Sequence, residues 1–308
     1  MIAGMTYYQI ASYFIIYSFI GWCVEVVYQA LKRGKVINRG FLNGPVCPVY
    51  GFGVLAVFAF TKSVLPSLTA LSESRMTGED NLVDLLVLFL LGVLLATSVE
   101  LIAGWLLDVC FHARWWDYTQ VPLNFHGYIC LRFSIIWGLA IVLVVKVVQP
   151  AMESESTFHM PERYGWPLLA VLYAIYLADF IVTVLIVAGM NRRLTELDEI
   201  QKKMRIVSNG LSQTLGGNTL NTQQKIDETR LQAHLAGKEL KDYSSEKLED
   251  LRARKAALEK QILSHPYFGS LRLLNAFPDL VHEKYDSILK TVKQTGAAIL
   301  AGRGDSEE

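Results

Sequence analysis

The 308-residue sequence lacks the motifs by which many enzymes are recognised. It has no G-x-x-x-x-G-K-[ST] loop for nucleotide phosphates, no H-E-x-x-H zinc site and no G-x-S-x-G nucleophile elbow. Its four cysteines have no C-x-x-C spacing, so the sequence predicts no metal site, redox pair or cofactor. An enzyme is therefore not indicated, although two carboxylates and a histidine could perform acid–base chemistry.

Charge is scarce as well, and it is unevenly distributed. Only 19% of the residues are charged and 52% are hydrophobic, which is too apolar for a single soluble core. The first 190 residues carry 10 of the 29 Lys and Arg and 12 of the 29 Asp and Glu. We therefore predict a transmembrane domain over 1–190 and a helical region over 191–308. The net charge of zero argues against nucleic-acid binding.

Five apolar stretches reach the length of about 20 residues that a helix needs to cross a bilayer. The fold class predicted from them is an all-α membrane protein with about five transmembrane helices. The lipid bilayer is therefore a predicted partner of the protein. The predicted spans are 8–31, 46–66, 82–107, 127–149 and 166–190.

Basic residues in the short loops predict the orientation. The loop 32–45 contains four Lys or Arg, and the segment after the last span begins Asn191-Arg192-Arg193. The loops 67–81 and 150–165 contain one Arg each among several acids. Because basic loops stay inside, we expect a plasma-membrane protein with its N-terminus outside and its C-terminus in the cytoplasm.

The first four spans contain a weakly duplicated hairpin. Spans one and three each carry small residues and a glutamate, Glu25 or Glu100, at i, i+4 spacing along one helical stripe. Spans two and four each open with G-x-x-C and then reach an aromatic–glycine pair. Parallel repeats of this kind often place a site between them.

Ionisable residues inside the predicted spans are the main functional signal. Glu25, Glu100 and Asp179 lie within spans, and Arg39 and Arg132 are candidate counter-charges. Such residues are costly in a bilayer and usually pair with one another or line a polar path. One interpretation is a cytoplasm-facing polar vestibule that binds a cation, a proton or a polar head group. The alternative is a set of ion pairs that only fix helix packing.

The loop after span three is rich in aromatic and hydrogen-bonding residues. An aromatic belt at the head-group level would explain its Trp and Tyr residues. It would not explain Asp117, Asn124 and His126 in one short loop, so a re-entrant loop that lines the vestibule is the alternative.

The sequence pattern after the last span predicts a helical region over 191–308. The stretch 208–222 is polar and rich in Gly and Asn, which predicts a linker. Residues 223–263 predict one long charged helix, and its apolar positions keep heptad spacing only near the end, so the tail is coiled-coil-like at most.

Several strings of the sequence are distinctive. They are 20–25 (IGWCVE), 38–51 (NRGFLNGPVCPVYG), 116–118 (WDY) with Pro122, Asn124 and Gly127, 129–131 (ICL), 137–138 (WG) and 274–278 (LNAFP). Together they resemble the CmpB-like family of small bacterial membrane proteins, over most of 8–148 and more loosely in the tail.

That resemblance implies a type IV ABC-transporter component, and it suggests transport with a separate cytoplasmic ATPase subunit. It supplies no substrate, catalytic residue or oligomeric state. The sequence therefore favours a permease-like subunit. Two alternatives stay open: a membrane enzyme acting on a lipid head group, and a scaffold or sensor that signals through its C-terminal helices.

Overall fold

The computed structural model divides the chain into two compact units. The first is Met1–Leu185 together with Arg272–Glu283, and the second is Ile186–Leu271 together with Lys284–Glu308. The residues that the structure describes are 4–63, 80–154, 160–220, 227–264 and 268–304.

Helix α1, Tyr7–Arg33, has well-defined ends because its terminal backbone groups are capped. Thr6 and Gln9 form a capping box, in which Gln9 N donates to Thr6 Oγ1 at 3.1 Å and Thr6 N donates to Gln9 Oε1 at 2.9 Å. Gly34 ends the helix at a φ of 67°, which glycine adopts without steric cost. The helix contains the predicted span 8–31.

The next two helices are α2, Pro48–Ser63, and α3, Asp80–Phe111. Helix α2 begins at Pro48, where a residue without a backbone N–H is tolerated. Its approach to α1 is fixed by the Cys47 N–H, which donates to the Ser18 carbonyl at 2.9 Å. Sixteen residues span about 24 Å, somewhat less than the hydrocarbon core of a bilayer.

The segment between α3 and the next helix contains three two-residue strands. Strand β1 is Ala113–Arg114, and β2, Asn124–Phe125, forms an antiparallel hairpin with β3, Ile129–Cys130. Strand β1 pairs with β4, Val281–His282, also antiparallel. The predicted start of span four at residue 127 is therefore wrong, because the hairpin occupies the chain as far as Cys130.

Helix α4, Leu131–Leu143, continues through a π-helical turn, Val144–Val148, into α5, Gln149–Ser154. Pro150 has no N–H to donate to the carbonyl four residues earlier, and the π turn lies at that point. Helix α6 then runs without interruption from Glu162 to Leu220.

Four helices in the described part of the chain are long and apolar enough to cross a membrane. At most 22% of the most apolar window of each is buried, so their apolar side chains face outward, as in lipid. The predicted second span, 46–66, is represented by the shorter apolar helix Pro48–Lys62. The four longer spans are Tyr7–Arg33, Asp84–Phe111, Leu131–Glu153 and Glu162–Asn209.

Helix α6 passes from the first unit into the second. The linker predicted over 208–222 is wrong as far as Leu220, since α6 includes these residues; residues 221–226 lie outside the described part. Glycine costs only about 1 kcal/mol in a helix, and continuing a formed helix adds a hydrogen bond per residue. Composition alone is therefore a weak guide to where such a helix ends.

The second unit also contains α7, Asp227–Ile262, and α9, Asp286–Gly304; the short helix α8, Ser270–Ala276, begins in it. Gly296 allows close packing there, because a Cβ at this position would lie 3.0 Å from both Leu263 and Leu271. The buried apolar residues of this unit include Leu194, Leu197, Leu251, Ile262, Leu289 and Val292.

The first unit has a small aromatic core where α1 meets α2. Tyr17 and Phe58 are 2% and 4% exposed, and their rings meet edge to face at a centroid distance of 5.6 Å. The Tyr17 hydroxyl donates to Gln149 Oε1, which satisfies its polar end. Gly51 lets the two helices approach, since a Cβ there would clash with Ser18 Oγ and lie 2.8 Å from the Phe14 carbonyl oxygen.

We predict that Gly51→Ala lowers the thermal midpoint of the detergent-solubilised protein, because overpacking typically costs about 1–3 kcal/mol. The matched control is Gly53→Ala on the same helix, where a Cβ would meet nothing within 4 Å. Since alanine is the better helix former, that control should be neutral or slightly stabilising. Equal midpoints for the two variants would contradict the packing described here.

Candidate functional site: a polar cluster between two helical hairpins

Glu25 on α1 is held by groups from the first loop and from α2. Arg39 Nε lies 3.4 Å from Glu25 Oε2, and the Tyr50 hydroxyl donates to Glu25 Oε1 at 2.7 Å. The Tyr50 ring can reach this carboxylate because it packs directly on Gly21, one helical turn before Glu25. The side chains of Glu25 and Arg39 remain 23% and 21% exposed, so the ion pair is accessible from one side.

Glu100 on α3 lies in a corresponding but more enclosed position. The Tyr118 hydroxyl donates to Glu100 Oε1 at 3.1 Å, and Trp137 of α4 faces the same carboxylate. Burial raises the pKa of Tyr118, and the charge of Glu100 adds to that effect, so Tyr118 acts as a neutral donor. The second oxygen, Glu100 Oε2, is fully buried and has no partner that meets hydrogen-bond geometry.

The two glutamate environments join through an aromatic contact. The rings of Tyr50 and Trp137 meet edge to face, with centroids 5.5 Å apart and planes at 80°. Glu25 is also close enough to Glu100 for the two side chains to interact electrostatically. Two carboxylates from different helical hairpins therefore share one region with Arg39, the cation that pairs with Glu25. We call these residues (Glu25, Arg39, Tyr50, Glu100, Tyr118 and Trp137) the polar cluster.

The segment that supplies Tyr118 folds back along α3. Arg114 Nε lies 2.9 Å from Asp108 Oδ2, Trp116 packs against Gly104, and Tyr118 reaches Glu100. Alternate residues of an extended chain are about 6.6 Å apart, and residues four apart on a helix are about 6 Å apart. Residues 114, 116 and 118 can therefore contact residues 108, 104 and 100 of α3 in turn. Glu100 is 11 residues before the end of α3 at Phe111, about 16 Å along the helix.

Asp179 of α6 anchors the first loop and does not join the polar cluster. It accepts hydrogen bonds from the Asn43 and Gly44 backbone N–H groups at 3.1 and 2.7 Å, and from the Asn43 side-chain amide at 2.9 Å. Thr183, one turn later on α6, accepts a further bond from the same amide. The loop that carries Arg39 is thereby fixed to α6.

Two predicted site residues, Asp117 and Asn124, stabilise the second loop from within, and a third, His126, is exposed. Asp117 accepts hydrogen bonds from the backbone N–H and the hydroxyl of Thr119, both at 3.0 Å. Asn124 donates to the Val121 carbonyl at 2.8 Å and accepts from the Gly127 N–H at 3.1 Å. His126 is exposed, with a φ of 51°, and its ring contacts only Phe125 among the aromatic pairs of the described residues.

The predicted pairing of Arg132 with a glutamate is wrong. Arg132 is exposed at the start of α4 and forms no ion pair within the described part of the chain. The donors near Glu100 are instead Tyr118 and Trp137, which are uncharged. The physical reason is the path of the second loop along α3, which brings a tyrosine to Glu100.

Arg272 is a buried residue of this unit that sequence reasoning missed. Its guanidinium donates to the carbonyls of Gly40 and Phe41, both at 2.9 Å, and is only 5% exposed. Burial lowers the pKa of Arg272 to about 10, against the opposing effect of the Asp179 carboxylate, so it stays charged at neutral pH. The one available signal was an arginine inside the apolar string Ser270-Leu271-Arg272-Leu273-Leu274.

The same C-terminal segment contacts the second loop. Besides the pairing of β4 with β1, the ring of Trp115 packs edge to face with both Phe41 and Phe277, at centroid distances of 5.4 and 6.3 Å. Trp115 is 3% exposed. Residues 272–283 therefore hold the loops of both hairpins, one through carbonyl groups and the other through a strand and an aromatic contact.

An open cleft of about 480 Å³ lies where the second loop meets β4. Its polar groups already pair with one another, as in the contact of His112 Nδ1 with Glu283 Oε2 at 3.4 Å. Within the described ranges, no group of three or more His, Cys, Asp or Glu residues is placed to hold a metal ion. The lining residues are Asp108, Val109, His112, Arg114, Asp117, Val281 and Glu283.

Comparison with known families identifies the class of the protein. The family described as "Putative ABC-transporter type IV" (ABC_trans_CmpB) matches residues 12–184. The match covers more than half of the chain and includes the whole polar cluster, so the chain belongs to this family. A comparison with curated proteins found no match, and a comparison with solved structures found none either.

We predict that Arg272→Ala speeds backbone hydrogen exchange in the first loop. Losing hydrogen bonds from a charged donor costs about 1.5–3 kcal/mol, so amides 40–47 should exchange about tenfold faster or more. The measurement is exchange mass spectrometry on the full chain in detergent. Arg252→Ala is the control, since Arg252 is exposed on α7. Equal exchange in the two variants would contradict the anchoring role.

Proposed function

We propose that this chain is the permease-type membrane subunit of an ABC transporter, and that the polar cluster lines a vestibule open to the cytoplasm. The observation that carries the proposal is that Glu25 and Glu100, from separate hairpins, interact electrostatically in one region, with Arg39 paired to Glu25. An ionisable group at the centre of a membrane helix costs about 2.5–3.5 kcal/mol, and such groups usually mark an ion or substrate path.

We further infer that the hairpins α1–α2 and α3–α4 are two copies of one unit. The aromatic–glycine pairs Tyr50-Gly51 of α2 and Trp137-Gly138 of α4 make corresponding contacts: the aromatic ring lies beside a glutamate, and the glycine packs on the preceding helix. Tyr50 bonds to Glu25 as Trp137 faces Glu100. A Cβ on Gly51 would strike α1, and a Cβ on Gly138 would strike Val93 and Phe89 of α3. A site between parallel repeats is a common arrangement in transporters.

The proposed topology keeps five membrane crossings, with α2 as the second. An odd number of crossings places the termini on opposite sides. The basic loop 32–45 and the run Asn191-Arg192-Arg193 favour the cytoplasm for the first loop and for the C-terminal region, and the plasma membrane as the location. On this topology, the exposed edge of the Glu25–Arg39 pair faces the cytoplasm.

The predicted polar residues divide into two proposed roles. Glu25, Arg39 and Glu100 line the path, because they belong to the polar cluster. Asp179 and the internal bonds of Asp117 and Asn124 shape its walls by fixing the two loops. The exposed side chains of His126 and Arg132 have no contact that assigns them to the path.

A transporter of this class needs ATP hydrolysis, and the sequence has no phosphate-binding loop of its own. We therefore expect a separate ATPase subunit in the assembly. The test is gentle extraction of the tagged full chain with cross-linking, followed by mass spectrometry. A stoichiometric ATPase is the expected result. Its repeated absence would contradict the proposal, and a defined co-purified lipid in that case would favour an enzyme acting on head groups.

We predict that Glu25→Gln and Glu100→Gln each abolish substrate-stimulated ATP hydrolysis by the purified assembly while leaving its subunit composition unchanged. Glutamine keeps the size of the side chain and removes its charge. The control is Glu162→Gln, an exposed glutamate in the first turn of α6. If both variants fail to accumulate in the membrane, the two carboxylates are structural and the vestibule has lost its support.

A further inference from the structure

We propose that Glu100 carries an exchangeable proton on Oε2, and that proton binding at this carboxyl group is the ligand chemistry of the polar cluster. The inference deepens the proposed vestibule and rests on it for its role in transport. The binding reaction is balanced: a proton from water adds to the carboxylate of Glu100, and the same proton returns to water when the group ionises.

The charges of the polar cluster do not balance when both glutamates are ionised. Glu25 and Glu100 then contribute two negative charges, and Arg39 contributes one positive charge. The other acids of the neighbourhood have cations of their own: Asp108 is paired with Arg114, and Asp179 interacts favourably with the buried, charged Arg272. One positive charge is therefore missing, and a single proton supplies it.

One carboxylate oxygen of Glu100 lies in a position that disfavours a negative charge. Glu100 Oε2 is fully buried without a hydrogen-bond partner, and so is Thr97 Oγ1, one turn earlier on α3. Leaving a buried group unsatisfied costs about 1–3 kcal/mol, and more when that group is charged. A neutral carboxylic acid is therefore the cheaper occupant of this position when the cluster is closed to water.

The ligands available near Glu100 favour a proton over a metal ion. Calcium takes about six to eight oxygen ligands, magnesium about six, and zinc about four nitrogen, sulfur or oxygen ligands. No group of three or more potential ligand residues exists among the described residues, and Thr97 is the other unpartnered oxygen on this part of α3. A proton requires only the carboxylate itself, so the ligand that fits the geometry is the proton.

The groups around Glu100 also define how protons reach it. Tyr118 of the second loop donates to Oε1, Trp137 of α4 faces the carboxylate, and Glu25 acts on it from α1. Glu25 in turn accepts a hydrogen bond from Tyr50 of α2 and pairs with the partly exposed Arg39. Cys130, at the end of β3, lies beside Tyr118. The Glu25–Arg39 pair is a partly exposed edge of the cluster, so a proton can reach Glu100 from that side.

The test is infrared difference spectroscopy of the full chain in lipid nanodiscs, stepped between about pH 6 and alkaline pH, a range in which exposed Asp and Glu carboxylates stay ionised. We expect a carbonyl stretch of a protonated carboxylic acid that shifts in heavy water and appears at acidic pH. Glu100→Gln should remove this band. The exposed control Glu162→Gln should retain it unchanged. Glu25→Gln should shift its appearance to lower pH, because Arg39 can then balance the ionised Glu100. A band that survives Glu100→Gln, or is absent at every pH, overturns the proposal.

A second variant keeps the proposal falsifiable if Glu100→Gln fails to fold. Tyr118→Phe removes the hydrogen bond to Oε1, the carbonyl oxygen of the protonated acid. The band should persist and move to higher frequency, because a carbonyl stretch rises when its hydrogen bond is lost. An unmoved band would place the proton elsewhere. The spectra need no transport activity, so this result is independent of whether an ATPase partner is found.

Discussion

The cost of holding two carboxylates among apolar helices constrains the rest of the first unit. Neither Glu25 nor Glu100 could remain in such a place without donors, and each hairpin supplies them from its own loop and its own second helix. The loops must therefore be held in place. Asp179 and Arg272 hold the first loop. The contacts of residues 114–118 with α3 and the pairing of β4 with β1 hold the second. The unusual features of the unit follow from this requirement.

Hydropathy and spacing predicted much of the architecture. The first and third predicted spans lie within α1 and α3, and the loop arginine nominated as a counter-charge, Arg39, forms an ion pair with Glu25. These features are local, because they depend on helix periodicity and on residues less than 20 positions apart. The fourth span began too early, since Ile129 and Cys130 directly before Leu131 are apolar but belong to strand β3.

The contacts that the sequence did not predict are of two kinds: those between distant segments and those that depend on the path of an irregular loop. Arg272 lies more than 230 positions from the carbonyl groups to which it donates, and no local sequence pattern predicts such a contact. The pairing of Tyr118 with Glu100 depends on an extended path of residues 114–118 along a helix, which side-chain periodicity cannot reveal. Because this path brings Tyr118 to Glu100, the charged side chain of Arg132 does not pair with Glu100 and is exposed at the start of α4. The C-terminal segment 272–283 thus joins a unit whose other residues precede position 186.

The central claim is that the two hairpins build one site, joined where Tyr50 meets Trp137. A double-mutant cycle on the thermal stability of the full chain, with Tyr50→Leu and Trp137→Leu, tests it most directly. The account predicts a coupling energy of about 0.5–1.5 kcal/mol, typical of an aromatic pair. Tyr50→Leu with Trp105→Leu, an exposed tryptophan on α3, should show no coupling. Additive effects of Tyr50 and Trp137 would contradict a shared site.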